Sequence, residues 1–113
     1  MIEKIIIDWL CEKLGVPIYL EEPEKPPKEY VIIDKLGSAE NDLINSATIA
    51  VQSYSASLYG AAELNAKVKK AMAESVSQGD ICRCVCTSDY NYTDTETKRY
   101  RYQAVFDITY YEE

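Results

Sequence analysis

Three cysteines spaced two residues apart, Cys82, Cys84 and Cys86, are the side chains in this 113-residue sequence that most invite chemistry. On an extended strand a C-x-C-x-C array sends all three sulfurs to one face, and gathered thiolates are what zinc takes as ligands. Strand geometry works against a single centre. The outer sulfurs would lie roughly 13 Å apart, whereas a zinc–sulfur bond is about 2.3 Å. The chain has no histidine, and the fourth cysteine, Cys11, falls in a separate helical segment. The expected role of the three is that of small apolar residues packed in a core, with no metal or other cofactor bound.

Acid–base and nucleophilic chemistry find no better footing. Without histidine a triad would need a lysine, an N-terminal amine or a carboxylate as its base, and no serine or cysteine occupies a nucleophile-elbow or glycine-rich setting. Gly15, Gly37, Gly60 and Gly79 are dispersed and form no phosphate-cradling loop. Glu21, Glu22, Glu24 and Glu29 lie among prolines and lysines, which reads as a solvated loop rather than a cation site. No catalytic residue is assigned, and the chain is not expected to be an enzyme.

Tyrosine is the sharper feature, with ten in the chain. It offers a large contact area and a polar tip at low entropic cost, although it is also simply a good strand residue. The candidate interface residues are Tyr90, Tyr92, Arg99, Tyr100, Arg101 and Tyr102, all on the last hairpin.

The elements that must position them follow from hydrophobic period. Ile2, Ile5, Ile6, Trp9, Leu10 and Leu14 share one side of a helix that Gly15 and Pro17 end. Val16 to Leu20 alternates as a short strand, and EEPEKPPKE is an exposed, partly mobile loop. Tyr30 to Leu36 is a second strand stopped by Gly37, SAENDLINS is a connection, and Ala47 to Tyr54 is a third strand. The period then changes: Leu64, Val68 and Met72, widened by Ala61, Ala71 and Val76, mark a helix capped by Ser55 or Ser57. After Gly79 and Asp80 the period returns to two for a long hairpin, whose second arm buries Ala104, Phe106 and Ile108. Toward Tyr100 and Tyr102 that face is expected to run beyond the helix layer as an aromatic patch. The fold class is therefore α+β: two helices on one face of a mostly antiparallel sheet of about five strands, order α-β-β-β-α-β-β, in a single domain over 1–113.

A net charge of −7 and a pI near 4.6 argue against specific nucleic-acid binding. No run approaches the length of a membrane span, and MIEKIIIDWLCEKLG lacks the features of a secretion signal. A cytoplasmic origin with reduced thiols is expected.

The phrases VPIYL, EYVIIDKLGS, ATIAVQSYSASLYGAAELNAKVKKAM and RYRYQAVFDITYY, in this order of elements, resemble the tail terminator (tail completion) family of long-tailed bacteriophages, to which the lambda tail terminator belongs. The resemblance spans nearly the whole chain. It implies a minor tail protein of a phage or prophage, found in the virion tail and assembled in the bacterial host cytoplasm. Such a subunit closes into a ring, commonly a hexamer, on the last ring of the tail tube. There it stops polymerisation and offers a surface to head-joining proteins. An acidic bore would let DNA pass without adhering. The cysteine strand and the EEPEKPPKE loop depart from the family's usual look, so no contact is carried over to them. The competing readings are a head-to-tail joining protein of the neck, a small peptide- or protein-binding regulatory module, and a metal or redox protein built on the cysteine strand.

Overall fold

A computed structural model describes residues 1–41 and 44–111. The elements in chain order are α1 (Ile2–Leu14), β1 (Ile18–Tyr19), β2 (Tyr30–Asn41), β3 (Ile44–Ser55), α2 (Leu58–Glu74), a short 3-10 turn (Ser75–Gln78), β4 (Ile81–Asn91) and β5 (Tyr100–Tyr111). The five strands form one sheet in the order β1-β2-β3-β5-β4. β1 runs parallel to β2, and every other neighbouring pair is antiparallel. This is the expected α+β arrangement with its C-terminal hairpin. β3 and β4 point the same way but do not touch, because β5 is inserted between them.

Both helices cover the same side of the sheet. α1 buries Ile2, Ile6 and Leu10, and α2 buries Ala61, Leu64, Val68, Ala71 and Met72. They meet Val31 and Ile33 of β2, Ala47, Ile49 and Val51 of β3, and Ala104, Phe106, Ile108 and Tyr110 of β5 in one continuous core. The Trp9 indole N–H donates to the Ala71 carbonyl at 2.7 Å, joining the two helices where a bare indole would otherwise lose its water.

α1 ends on Gly15, whose φ of 68° lies in the left-handed region that a side chain disfavours. Of the two candidate serines, Ser57 caps α2: its hydroxyl accepts the Gly60 amide at 3.0 Å. A Cβ on Gly60 would lie 2.2 Å from Ser55 Oγ, so the first turn needs glycine to pack against the end of β3. Ser57→Ala is expected to lower stability by about 1 kcal/mol, measured by urea denaturation, with Ser55→Ala much closer to neutral.

Four expectations on boundaries are corrected. β1 is two residues long instead of five. Gly37 does not stop β2; it follows a bulge at Leu36, pairs with Thr48, and the strand runs on to Asn41. The polar connection between the second and third strands is mostly strand itself, with residues 42 and 43 lying outside the described residues. Residues 34–40 are exposed, so that arm has no buried face to impose an alternating pattern. Val76 belongs to the 3-10 turn and is exposed, so it does not widen the α2 stripe.

Candidate interaction surface

Because both helices lie on one side, no helix covers the other side of the sheet among the described residues. The register decides which hairpin residues face it. Tyr90 stands opposite Gln103, and Arg101 opposite Tyr54, on the helix-free face. Tyr102 and Tyr100 stand opposite Ser53 and Ser55, in the same row as Ala104 and Phe106 on the helix side. The Tyr92 ring meets Tyr90 edge-on at 5.7 Å and lies 4.4 Å below the Arg101 guanidinium. Arg99 reaches the same face, 5.3 Å from the Tyr54 ring.

The six candidate residues therefore make two surfaces, where the sequence suggested one. Tyr90, Tyr92, Arg99 and Arg101 gather on the helix-free face, whereas Tyr100 and Tyr102 lie half-buried on the other. Strand parity forces the split, since 101 and 102 point to opposite sides.

The centre of this surface is made of residues not singled out from the sequence. Tyr30 and Tyr54 stack at 4.5 Å with their rings nearly parallel, and both are buried with Ile32 in a second, smaller cluster. Arg101 Nη1 donates to the Tyr54 hydroxyl at 2.8 Å, and that hydroxyl donates to Gln52 Oε1 at 3.2 Å. Gln52 Nε2 donates to Gln103 Oε1 at 2.9 Å, and Gln103 in turn donates to the Tyr90 hydroxyl. A continuous chain of hydrogen bonds thus crosses β5, β3 and β4. Its members satisfy one another, as half-buried polar groups must. The pairing of Tyr30 with Tyr54 depends on the bulge at Leu36: the Asn41–Ile44 register carried on without it would set Tyr30 opposite Ser55, so strand spacing alone does not give the stack.

The proline loop is tied to this cluster through Glu22. Its carboxylate accepts the Tyr30 hydroxyl at 2.8 Å and pairs with the Arg99 guanidinium, which also donates to the Tyr30 oxygen. Burial, and then the carboxylate, push the Tyr30 phenol well above its ordinary range, so it remains a neutral donor. The loop is exposed as expected, but Glu22 anchors one end of it to the hairpin.

On the helix side, Asp89 pairs with Lys69 and accepts the Asn65 side-chain amide at 2.6 Å, fastening β4 to α2. Partial burial pushes the Asp89 carboxyl up, but Lys69 and Asn65 together outweigh it and hold the group below the usual carboxylate range. A carboxylate with a lowered folded pKa stabilises the fold above its unfolded pKa and loses that contribution as pH falls through the folded value. Acid titration of the wild type is expected to show a loss of stability below the ordinary carboxylate range that Asp89→Asn lacks.

The cysteines do not act as a unit. Cys82 is the unpaired residue of a bulge between Ile81 and Arg83, and it is exposed. Cys84 and Cys86 pair with Ile108 and Phe106, yet only Cys84 packs against the core. Burial raises its thiol pKa to about 11. The expectation of three core cysteines is thus correct for one and wrong for Cys82 and Cys86, because β4 is an edge strand that α2 only partly covers.

The tip of the β4–β5 hairpin is closed by Asp94. Its carboxylate accepts the Glu96 amide at 3.0 Å, and its backbone pairs with Arg99. Lys98 sits at φ 55°, the only positive φ of a non-glycine residue among those described. Lys98→Gly is expected to raise stability by about 1 kcal/mol, since glycine occupies that region without the Cβ penalty. Thermal unfolding of the two proteins checks this.

No protein-family model matches the chain, and a search of the curated proteins gives no match.

Proposed function

We propose that this chain is a structural tail protein of a phage or prophage. In this reading it forms a ring, commonly a hexamer, that caps the tail tube, ends its polymerisation and presents a surface to the head-joining proteins. The ring is built in the bacterial host cytoplasm and remains in the virion tail. DNA passes through it without specific binding, and the subunit carries out no reaction.

The observation that supports this reading is the division of the hairpin into two unlike surfaces. A closed ring needs a heterologous contact, in which one patch of a subunit meets a different patch of its neighbour. Here Tyr90, Tyr92, Arg99 and Arg101 lie on the helix-free face, and Tyr100 and Tyr102 on the helix side, so a single hairpin can present different residues to the neighbours before and after it. Tyr90 and Tyr92 are each more than two-fifths exposed, which leaves aromatic area to be covered.

Co-sedimentation with purified tail tubes, in parallel with portal-bearing heads, tests the proposal. Binding to tubes is the expected result. Binding to heads alone would replace it with a neck protein, and binding to neither would remove the tail assignment.

A further inference from the structure

The basic residues of this acidic chain are not evenly placed. Lys28, Lys98 and Arg99 line one open cleft of about 280 Å³ with Pro26, Pro27 and Tyr100, over a floor formed by the stacked Tyr30 and Tyr54. Only nine other basic residues stand against the 19 acidic ones, so the rest of the chain is more strongly negative than the whole. Arg99 is shared with Glu22, but Lys28 and Lys98 are exposed and have no ion pair among the described residues. Ser55 and Ala56 complete the wall where α2 begins. That helix has no acidic residue in its first turn, so its positive end is left uncompensated beside the cleft.

We propose that this cleft receives a carboxylate-bearing segment from a second copy of the chain, and so forms one half of the contact between neighbouring subunits. The inference rests on the ring reading and names the chemistry of its interface. Copies of a chain with net charge −7 repel one another at long range, so an association between them needs a local patch of opposite sign. Lys28 and Lys98, beside an Arg99 already paired to Glu22, provide that patch, and a neighbour's surface is rich in the carboxylates they would pair with. The exposed Pro26 and Pro27 and the half-buried Tyr100 offer apolar area for the backbone of the incoming segment. One such cleft per subunit, meeting an acidic surface elsewhere on the next, is a heterologous arrangement.

The test mixes equal amounts of unlabelled and nitrogen-15-labelled chains at high concentration and joins touching amines and carboxylates with a zero-length carbodiimide. Mass spectrometry then finds which links are isotopic hybrids. Hybrid links from Lys28 or Lys98 to an aspartate or glutamate are expected. They should weaken at least tenfold in about 1 M salt, where screening shortens to about 3 Å, and the hybrid links that other residues form should be lost in a Lys28→Ala, Lys98→Gly double variant. The intrachain Lys69–Asp89 link serves as a control for reaction and fold. The double variant also controls for misfolding, since its glycine relieves the Lys98 backbone. Links at Lys28 and Lys98 confined to one isotope, or hybrid links that the double variant leaves unchanged, would overturn the proposal. Tube binding read alongside separates the two ideas. Wild-type chains that bind tubes without these hybrids refute the cleft alone, and hybrids without tube binding refute the tail assignment alone.

Discussion

Phe106→Ala is expected to lower the unfolding free energy by about 3–5 kcal/mol, the range for emptying a buried aromatic site. Phe106 is 1 % exposed and sits on the interior strand β5, directly opposite Ile49 and in the core that both helices share. Strands on either side hold the backbone in register, so the surrounding side chains cannot collapse fully into the space. Against a total of about 5–15 kcal/mol for a domain of this size, the loss is a large part of the whole. Val85→Ala, on the exposed face of the neighbouring β4, provides the contrast and should change stability by no more than about 0.5 kcal/mol. Urea titrations of the three proteins make the comparison. A Phe106→Ala protein as stable as the wild type would mean that the helices do not close over β5.

Tyr54→Ala carries the second large effect, about 3–4 kcal/mol, for a different reason. Tyr54 is a centre of the helix-free face: it stacks on Tyr30, lies beneath the guanidinium groups of Arg99 and Arg101, and passes the hydrogen bond from Arg101 to Gln52. Truncation removes the ring and leaves those partners without theirs. Tyr54→Phe keeps the ring and loses only the hydroxyl, so it should cost about 1–2 kcal/mol. Hydrogen exchange gives the more specific readout. In Tyr54→Ala the amides of Tyr92, Asp94 and Arg99, which hold the far end of the hairpin, should lose protection before those of the α1–α2 core. Equal loss throughout would mean that the face is not a separately held unit.

What the sequence made legible was whatever had a buried face. Ile2, Ile6 and Leu10 on α1, Leu64, Val68 and Met72 on α2, and Ala104, Phe106 and Ile108 on β5 were placed correctly, because burial on one side writes its period into the residue order. The outer part of the β2–β3 arm was not legible, because residues 34–40 are exposed and leave no such trace. Glycine at 37 marks a bulge, which it suits as well as an end. The candidate surface was half legible. Tyr90, Tyr92, Arg99 and Arg101 do come together, and the alternation of β5 had already set Tyr100 and Tyr102 on the face opposite Arg99 and Arg101, although all six were grouped as one patch. Glu22, Tyr30, Gln52, Tyr54 and Gln103 were missed because their contacts span up to 77 positions in the chain and depend on register, which local pattern does not encode.

The cysteine strand shows the reverse error. A regular C-x-C-x-C reading assumes an unbroken strand, and the bulge at Cys82 breaks it. Bulges between Ile81 and Arg83 and between Cys86 and Ser88 are also how an edge strand is kept from pairing with another sheet. That leaves side chains, in preference to strand edges, as the means of contact on this part of the molecule.

The central proposal, that the subunit closes as a ring on the end of a phage or prophage tail tube, is tested most directly by electron microscopy of tubes grown from the tube protein it would cap, with and without this chain. The account predicts extra ring density at one end of each tube and an arrest of further growth when the protein is present. Tubes that lengthen unchecked with bare ends, in the presence of an excess of the folded chain, would contradict it.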